Sequence, residues 1–322
     1  VPAARTTVWC NDASRVGEET LNDMSRATPQ SAGWNHQFAS VNGIQVHYVR
    51  EGAGQPLFVL HGWPEFWWSW HRNIPVLAQY FDVVAPDLRG FGESEKPVAD
   101  AFESYDWKHH VEDIIALADH LGFEKFSVAS HDVGAGVAML LARTYPERLN
   151  ALFFCNGAHP GVGRRWVKAE HINQIWYQSF HQQPWAAELI GHSRDTVRIY
   201  FSNLLAHWSY DPHAFDAHIE FFVDNFMRPG NLQGGFNWYI VSHPIRMALV
   251  RDGAPELPIV EVPTRFLWGR HDPVLLAEWT DTLPQYFKDP LVEIQDNAGH
   301  FVHFEASDAV NQAIIEFVGQ RG

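Results

Sequence analysis

Near-continuous apolar runs recur along the first half of the chain: PLFVLHG, FDVVAPD and FSVASHD. A strand with one wet face alternates polar and apolar residues; these runs do not, so each reads as a strand covered on both faces. Between the second and third, residues 104–121 carry Trp107, Val111, Ile114, Ile115, Ala118 and Leu121 on one helical face, and Gly122 supplies the stop. A helix over about 134–145 and another buried strand, LNALFFCN, follow. Strands alternating with helices give a mainly parallel sheet with right-handed crossovers. Ahead of it, HQFASVNGIQVHYVREG alternates around Asn42-Gly43, the signature of a hairpin with a type I′ turn.

The alternation stops near Gly157 and resumes at TRFLWG, then a helix over about 275–286, LVEIQD and a last helix over about 307–318. Residues 160–255 between these parts are aromatic-rich and helical with no convincing strand. The organisation expected is an arm over 1–35, an α/β core over 36–158, a helical cap over 159–255 and the rest of the core over 256–322. The sheet then has eight strands flanked by helices.

Composition narrows the function. With 322 residues, 46% of them apolar, the chain buries enough surface to fold without a metal or disulfide staple. Net charge is −15 and no cationic run exceeds Arg164-Arg165, which argues against a nucleic-acid partner. No stretch approaches the roughly 20 apolar residues of a membrane span. Two cysteines, Cys10 and Cys155, make no disulfide framework, and whether they pair is left open. A cytoplasmic protein is expected, with secretion left open because the sequence lacks an initial Met and carries an unassigned arm.

Chemistry concentrates where FSVAS meets the next helix. Ser130-His131-Asp132-Val133-Gly134-Ala135 fits a sharp turn that holds a nucleophile between small residues at the strand end. Asp132 stands at the nucleophile position. A carboxylate there attacks saturated carbon and leaves an ester for water to cleave. On this turn alone, a helix-capping Asp132 is an equal reading. Asp272 in TRFLWGRHDP and His300 in LVEIQDNAGHF lie just past two later strands, in the chain order nucleophile, acid, histidine. In these roles Asp272 orients the imidazole and His300 activates water. His271 precedes the last strand and fits that order less well. The backbone N–H groups of Trp63 and Val133 are the candidate oxyanion donors, and His61 reads as a structural hydrogen-bonder.

These motifs resemble the α/β-hydrolase-fold epoxide hydrolases, microbial soluble ones especially. HGWPEFWWSWHRNIPVLAQYFDVVAPDLRGFGESEKP is similar to that family's oxyanion and sheet-core signature, and SHDVGA, WGRHDP and NAGHF match its triad segments. In the cap, IWYQSFHQQPW, HWSY and VDNFMRPGNLQGGFNWY extend the likeness over about residues 36–320. The resemblance implies a cis Trp63-Pro64 bond and two ring-opening tyrosines, Tyr177 and Tyr239. It also implies hydrolysis of small aryl or alkyl epoxides to vicinal diols, with a detoxification role. No metal and no cofactor is expected; the partner is the small-molecule epoxide, and a homodimer is left open. Phe66, Trp67, Trp176, Phe180 and Trp238 are the expected pocket aromatics. The family commonly has Arg after the second tyrosine, where this chain has Ile240, and the 243–258 stretch is individual; both bear on substrate range.

Two rivals stand beside this reading. Haloacetate dehalogenases carry arginines after the nucleophile, at places holding Val133 and Gly136 here. Haloalkane dehalogenases pair an Asn after His-Gly with a Trp after the nucleophile, a pair that Trp63 and Val133 do not reproduce. A non-catalytic binding module usually goes with a broken triad, and this one is intact.

Overall fold

Asn42 and Gly43, at φ 46° and 77°, turn β1 (His36–Val41) back into β2 (Ile44–Gly52) in an antiparallel pair. This is the hairpin the Asn-Gly dipeptide predicts. It opens an eight-stranded sheet in a computed structural model that describes residues 33–98 and 100–321. The remaining strands are β3 (Gln55–Leu60), β4 (Phe81–Pro86), β5 (Phe126–His131), β6 (Leu149–Cys155), β7 (Thr264–Gly269) and β8 (Leu291–Gln295). They lie in the order β1-β2-β4-β3-β5-β6-β7-β8, parallel from β4 onward across the sheet. β4 and β5 are buried along their whole length, which is why their sequences do not alternate. Edge strand β8 is half exposed, and its Glu293 pairs with Arg265 of β7 at 2.8 Å, a charged edge that discourages further pairing.

Helices α1 (Trp107–His120) and α2 (Val133–Thr144) return the chain between parallel strands. The α1 start is set by Asp106, whose carboxylate accepts the His109 N–H at 2.9 Å; the expected range therefore begins three residues early. Between β6 and β7 no strand occurs among the described residues. Helical segments run there from Pro160 to Asp252, chiefly α3 (Trp176–Phe180), α4 (Arg194–Trp208), α5 (Ile219–Phe226) and α6 (Asn231–Asp252). Their buried faces join the sheet helices in one apolar core. His171 adds a polar tie, facing the Trp166 carbonyl of the cap and the Val274 carbonyl past β7.

The helix expected over about 275–286 is instead a 3₁₀ helix, Ala277–Gln285. Pro284 removes a donor, and the Thr280 and Thr282 hydroxyls bond back to the carbonyls of Ala277 and Trp279. The last helix, α7 (Ser307–Val318), lies where its periodicity puts it. Cys155 is buried within β6; Cys10 and nearly all of the 1–35 arm lie outside the described residues. No described helix is long and apolar enough to cross a membrane.

Candidate active site

The turn after β5 is strained. Asp132 has φ 45° and ψ −107°, a conformation that an L-residue adopts only when its surroundings impose it. Although it stands at the N-cap of α2, its side chain makes no capping hydrogen bond. The carboxylate points away from the helix: Oδ1 accepts the Trp63 N–H at 2.9 Å. A Cβ on Gly62 would sit 2.5 Å from the Asp132 Cβ, and one on Gly134 2.7 Å from the His61 carbonyl, so both positions require glycine. Val133 begins α2, so its N–H has no intrahelical acceptor. The Trp63-Pro64 peptide is cis, as the resemblance implies. His61 is buried and structural, facing the Gly62 carbonyl with Nδ1 and accepting the Leu88 N–H at Nε2.

The ends of β7 and β8 bring Asp272 and His300 to this turn. His300 Nδ1 lies 2.8 Å from Asp272 Oδ2, and Nε2 lies 3.8 Å from Asp132 Oδ2 with no protein hydrogen-bond partner. Asp272 Oδ1 is fixed by the Val274 and Leu275 N–H groups at 2.8 and 2.9 Å. Burial disfavours a charged His300, but Asp272, with smaller help from Asp132 and Glu65, outweighs it and raises the imidazole to about 9. The competing His271 is exposed and packs on Tyr210.

Sequence reasoning missed Asn156, just past β6 and itself at φ 43°. Its amide donates to Asp272 Oδ2 at 2.6 Å, its Oδ1 accepts the Gly269 N–H, and its carbonyl accepts the Asp132 N–H at 3.3 Å. One residue thus ties the ends of β5, β6 and β7 together. The signal was the Asn beside Gly157 at a strand terminus, a residue type that tolerates left-handed backbone.

Beneath the site lies a second polar group. Glu65 Oε2 meets His131 Nδ1 at 2.7 Å and the Gly62 N–H at 2.7 Å, while Oε1 lies 3.0 Å from His303 Nε2. His131 Nε2 faces the His300 carbonyl at 2.9 Å. Both His131 nitrogens thus face oxygen atoms, one of a carboxylate and one of a peptide carbonyl. Burial pushes the Glu65 carboxyl up, yet His131 and His303 hold it well below the usual range. Glu65, His131 and His303 are close enough to share a metal ion. Glu65 Oε2 and both His131 nitrogens are instead engaged with each other and with the Gly62 and His300 peptide groups, while the His303 ring makes no hydrogen bond among the described residues.

The cap delivers Tyr177 from α3 and Tyr239 from α6. The rings meet edge to face, centroids 5.6 Å apart, and Tyr177 stacks on Trp63 at 5.7 Å. Both phenols are buried; burial, with the Asp132 charge adding to it, raises them well above their ordinary value. Asp132, Tyr177 and Tyr239 line one cavity of about 340 Å³. Of the five expected pocket aromatics only Trp238 lines it, stacked on Trp107 at 4.8 Å. The others are corrected. Phe66 packs on Phe222, and Trp67 on Trp34 and His36, both in the core. Trp176, 52% exposed, adjoins Tyr177, and neighbours on a helix point about 100° apart. Phe180 packs against Trp176 and Trp185 on that outer side. Trp107, Gln178 and Arg246 line the cavity without having been expected there.

Known proteins resemble this chain over most of its length. Residues 55–307 match the family model described as the alpha/beta hydrolase fold. The chain is 36% identical to a soluble epoxide hydrolase of Corynebacterium sp. (strain C12) over 216 residues, 63% of this chain and 71% of the relative. It is 30% identical to human epoxide hydrolase 4 over 290 residues, 86% of this chain and 76% of the relative. Among solved structures, an epoxide hydrolase from Bacillus megaterium in complex with an inhibitor superposes with a TM-score of 0.77 at 26% identity, covering 88% of this chain and 99% of that one. A carboxylate at the nucleophile turn, an imidazole–carboxylate pair across from it and this breadth of likeness place the chain in the epoxide hydrolase family of α/β-hydrolase-fold enzymes.

Proposed function

We propose that the chain hydrolyses epoxides to vicinal diols through an ester on Asp132. The observation that carries this reading is a carboxylate and two buried phenols facing one cavity. Asp132 Oδ2 attacks a ring carbon and its C–O bond breaks. The alkoxide takes a proton from Tyr177 or Tyr239, and the carbonyl left at Oδ1 keeps the Trp63 N–H. Phenols raised by burial stay protonated across the working range, so the acid form is always ready, a role typically worth about 10²–10⁴-fold.

Ester formation removes the negative charge of Asp132. That charge helps to hold the His300 imidazole high, so its loss lowers the ring's proton affinity as the base is needed. The proton released from His300 restores the phenol. Neutral His300 then deprotonates water, which adds to the ester carbonyl. The oxyanion forms at Oδ1 against the Trp63 and Val133 N–H groups, each donor typically worth about 2.7–4 kcal/mol. Collapse breaks the ester C–O bond, His300 protonates the leaving alcohol, and Asp132 returns with one oxygen from water.

Incubation with styrene oxide, 1-chlorobutane and fluoroacetate tests the reaction class. The expected result is phenylethanediol with little halide release by comparison. Halide release outpacing diol formation would move the chain to the dehalogenases, and binding without turnover of any of them would make it a ligand-binding module.

A further inference from the structure

Two arginines share the cavity with the reacting groups, and no protein carboxylate pairs with either among the described residues. Arg246 lies on α6 seven residues past Tyr239, two helical turns along the same face. Its guanidinium sits 5.5 Å over the Trp166 ring and close enough to Asp132 to feel its charge. Arg143 comes from the far end of α2, about 15 Å along the helix axis from Val133. It gives one hydrogen bond to the Met139 carbonyl, while its Nε and second terminal nitrogen are buried with no partner. Both arginines line the cavity that holds Asp132.

Among the described residues Arg72, Arg164 and Arg321 also lack a carboxylate and each donates to a backbone carbonyl, but none of them lines this cavity. Arg50, Arg89, Arg148, Arg165 and Arg265 each meet a carboxylate within 3 Å. A guanidinium stays protonated even when burial lowers its proton affinity, so a desolvated one without an anion is costly. The chain carries net charge −15, which would supply acidic partners readily on an ordinary surface. Apolar walls instead lead from the Asp132 end to two unpaired cations.

We propose that Arg246 and Arg143 form an anion subsite in the cavity, so that preferred substrates are epoxides bearing a carboxylate across an apolar spacer from the ring. Arg246 is the principal contact; Arg143 supports longer spacers. The guanidinium fork matches a carboxylate in two parallel hydrogen bonds, and the low-polarity walls strengthen them. The subsite does not alter the ring-opening chemistry, and it rests on the epoxide hydrolase reading of the same cavity.

The test compares terminal epoxyalkanoates of graded chain length with their neutral primary amides. kcat/KM for the acid is expected to exceed that for the matched amide by tenfold or more at the best length. Arg246→Met should collapse that ratio towards one, and Arg246→Lys should keep part of it. The ratio is read within each protein, so a general loss of activity cancels. Equal turnover of acid and amide by the wild type overturns the subsite. So does Arg246→Met slowing both alike, which would assign the arginine to the phenols. Hexanoate and hexanamide binding, followed by tryptophan fluorescence, separates the two readings. Tighter hexanoate binding that Arg246→Met abolishes supports the subsite even if styrene oxide is not turned over; equal binding of the two ligands overturns it even if styrene oxide is hydrolysed.

Discussion

The two halves of the site are held in different ways. At the strand ends, hydrogen bonds orient the reacting side chains: Asp272 takes two backbone N–H groups, the Asn156 amide and His300, and Asp132 Oδ1 takes the Trp63 N–H. In the cap, Tyr177 has one side-chain contact, from the Gln178 amide at 3.2 Å, and both phenols are otherwise placed by the rings around them. Hydrogen bonds fix an atom; packed rings fix a plane and leave the tip room to move. In the proposed mechanism the covalent step needs fixed atoms, whereas proton donation to a moving ring oxygen tolerates, and gains from, two donors with latitude.

The largest effect that contrast predicts is at Asp132. Asp132→Ala removes the nucleophile, and kcat should fall by about 10⁴-fold or more, since a member of a catalytic unit is not replaced by its neighbours. A residual rate within tenfold of wild type would break the hydrogen-bonded half of the account. In the cap, Tyr177→Phe with Tyr239→Phe should cost about 10²–10⁴-fold in kcat, and either single change about tenfold, because the remaining phenol still donates. Steady-state kinetics on one epoxide decides this; a single substitution as damaging as the pair would mean that only one tyrosine acts.

Asn156→Ala sharpens the comparison further. It removes a buried hydrogen bond to the Asp272 carboxylate, of a kind worth about 1.5–3 kcal/mol. Denaturant unfolding should register that loss, and breakdown of the ester should slow more than its formation. A comparable effect concerns pH. His300 is raised in the fold from 6.5 to about 9. Its contribution to stability is therefore fully present below about pH 6.5 and lost as pH rises through about 9. The shift corresponds to about 3 kcal/mol. Urea unfolding at pH 6 and pH 10 should show wild type losing about that much more than His300→Gln, and parallel pH profiles would contradict it.

The sequence was legible where a residue's role depends on its place along the chain. Asp132 and Asp272 each follow a buried apolar run, from which a strand end is readable, and His300 follows the half-exposed edge strand β8. It was less legible where the role depends on which way a side chain faces. Trp176 and Tyr177 are neighbours, yet one is exposed and the other lines the cavity, and only the mounting of the short α3 on the sheet decides which. Asn156 and Glu65 were passed over because their partners are 116 and 66 residues away. Arg246 lies in the 243–258 stretch set apart as individual to this chain, where α6 continues through Pro244 and carries the arginine round to the face of Tyr239.

The ester on Asp132 is the centre of the account, and one experiment reaches it directly. A single turnover with excess enzyme in ¹⁸O-labelled water, followed by mass spectrometry of the peptide that contains Asp132, locates the incoming oxygen. Water that attacks the ester carbonyl leaves its oxygen in the Asp132 carboxylate and an unlabelled first-turnover diol. Label found in the diol with none in that peptide would mean that water attacks the substrate carbon, and would contradict the covalent mechanism.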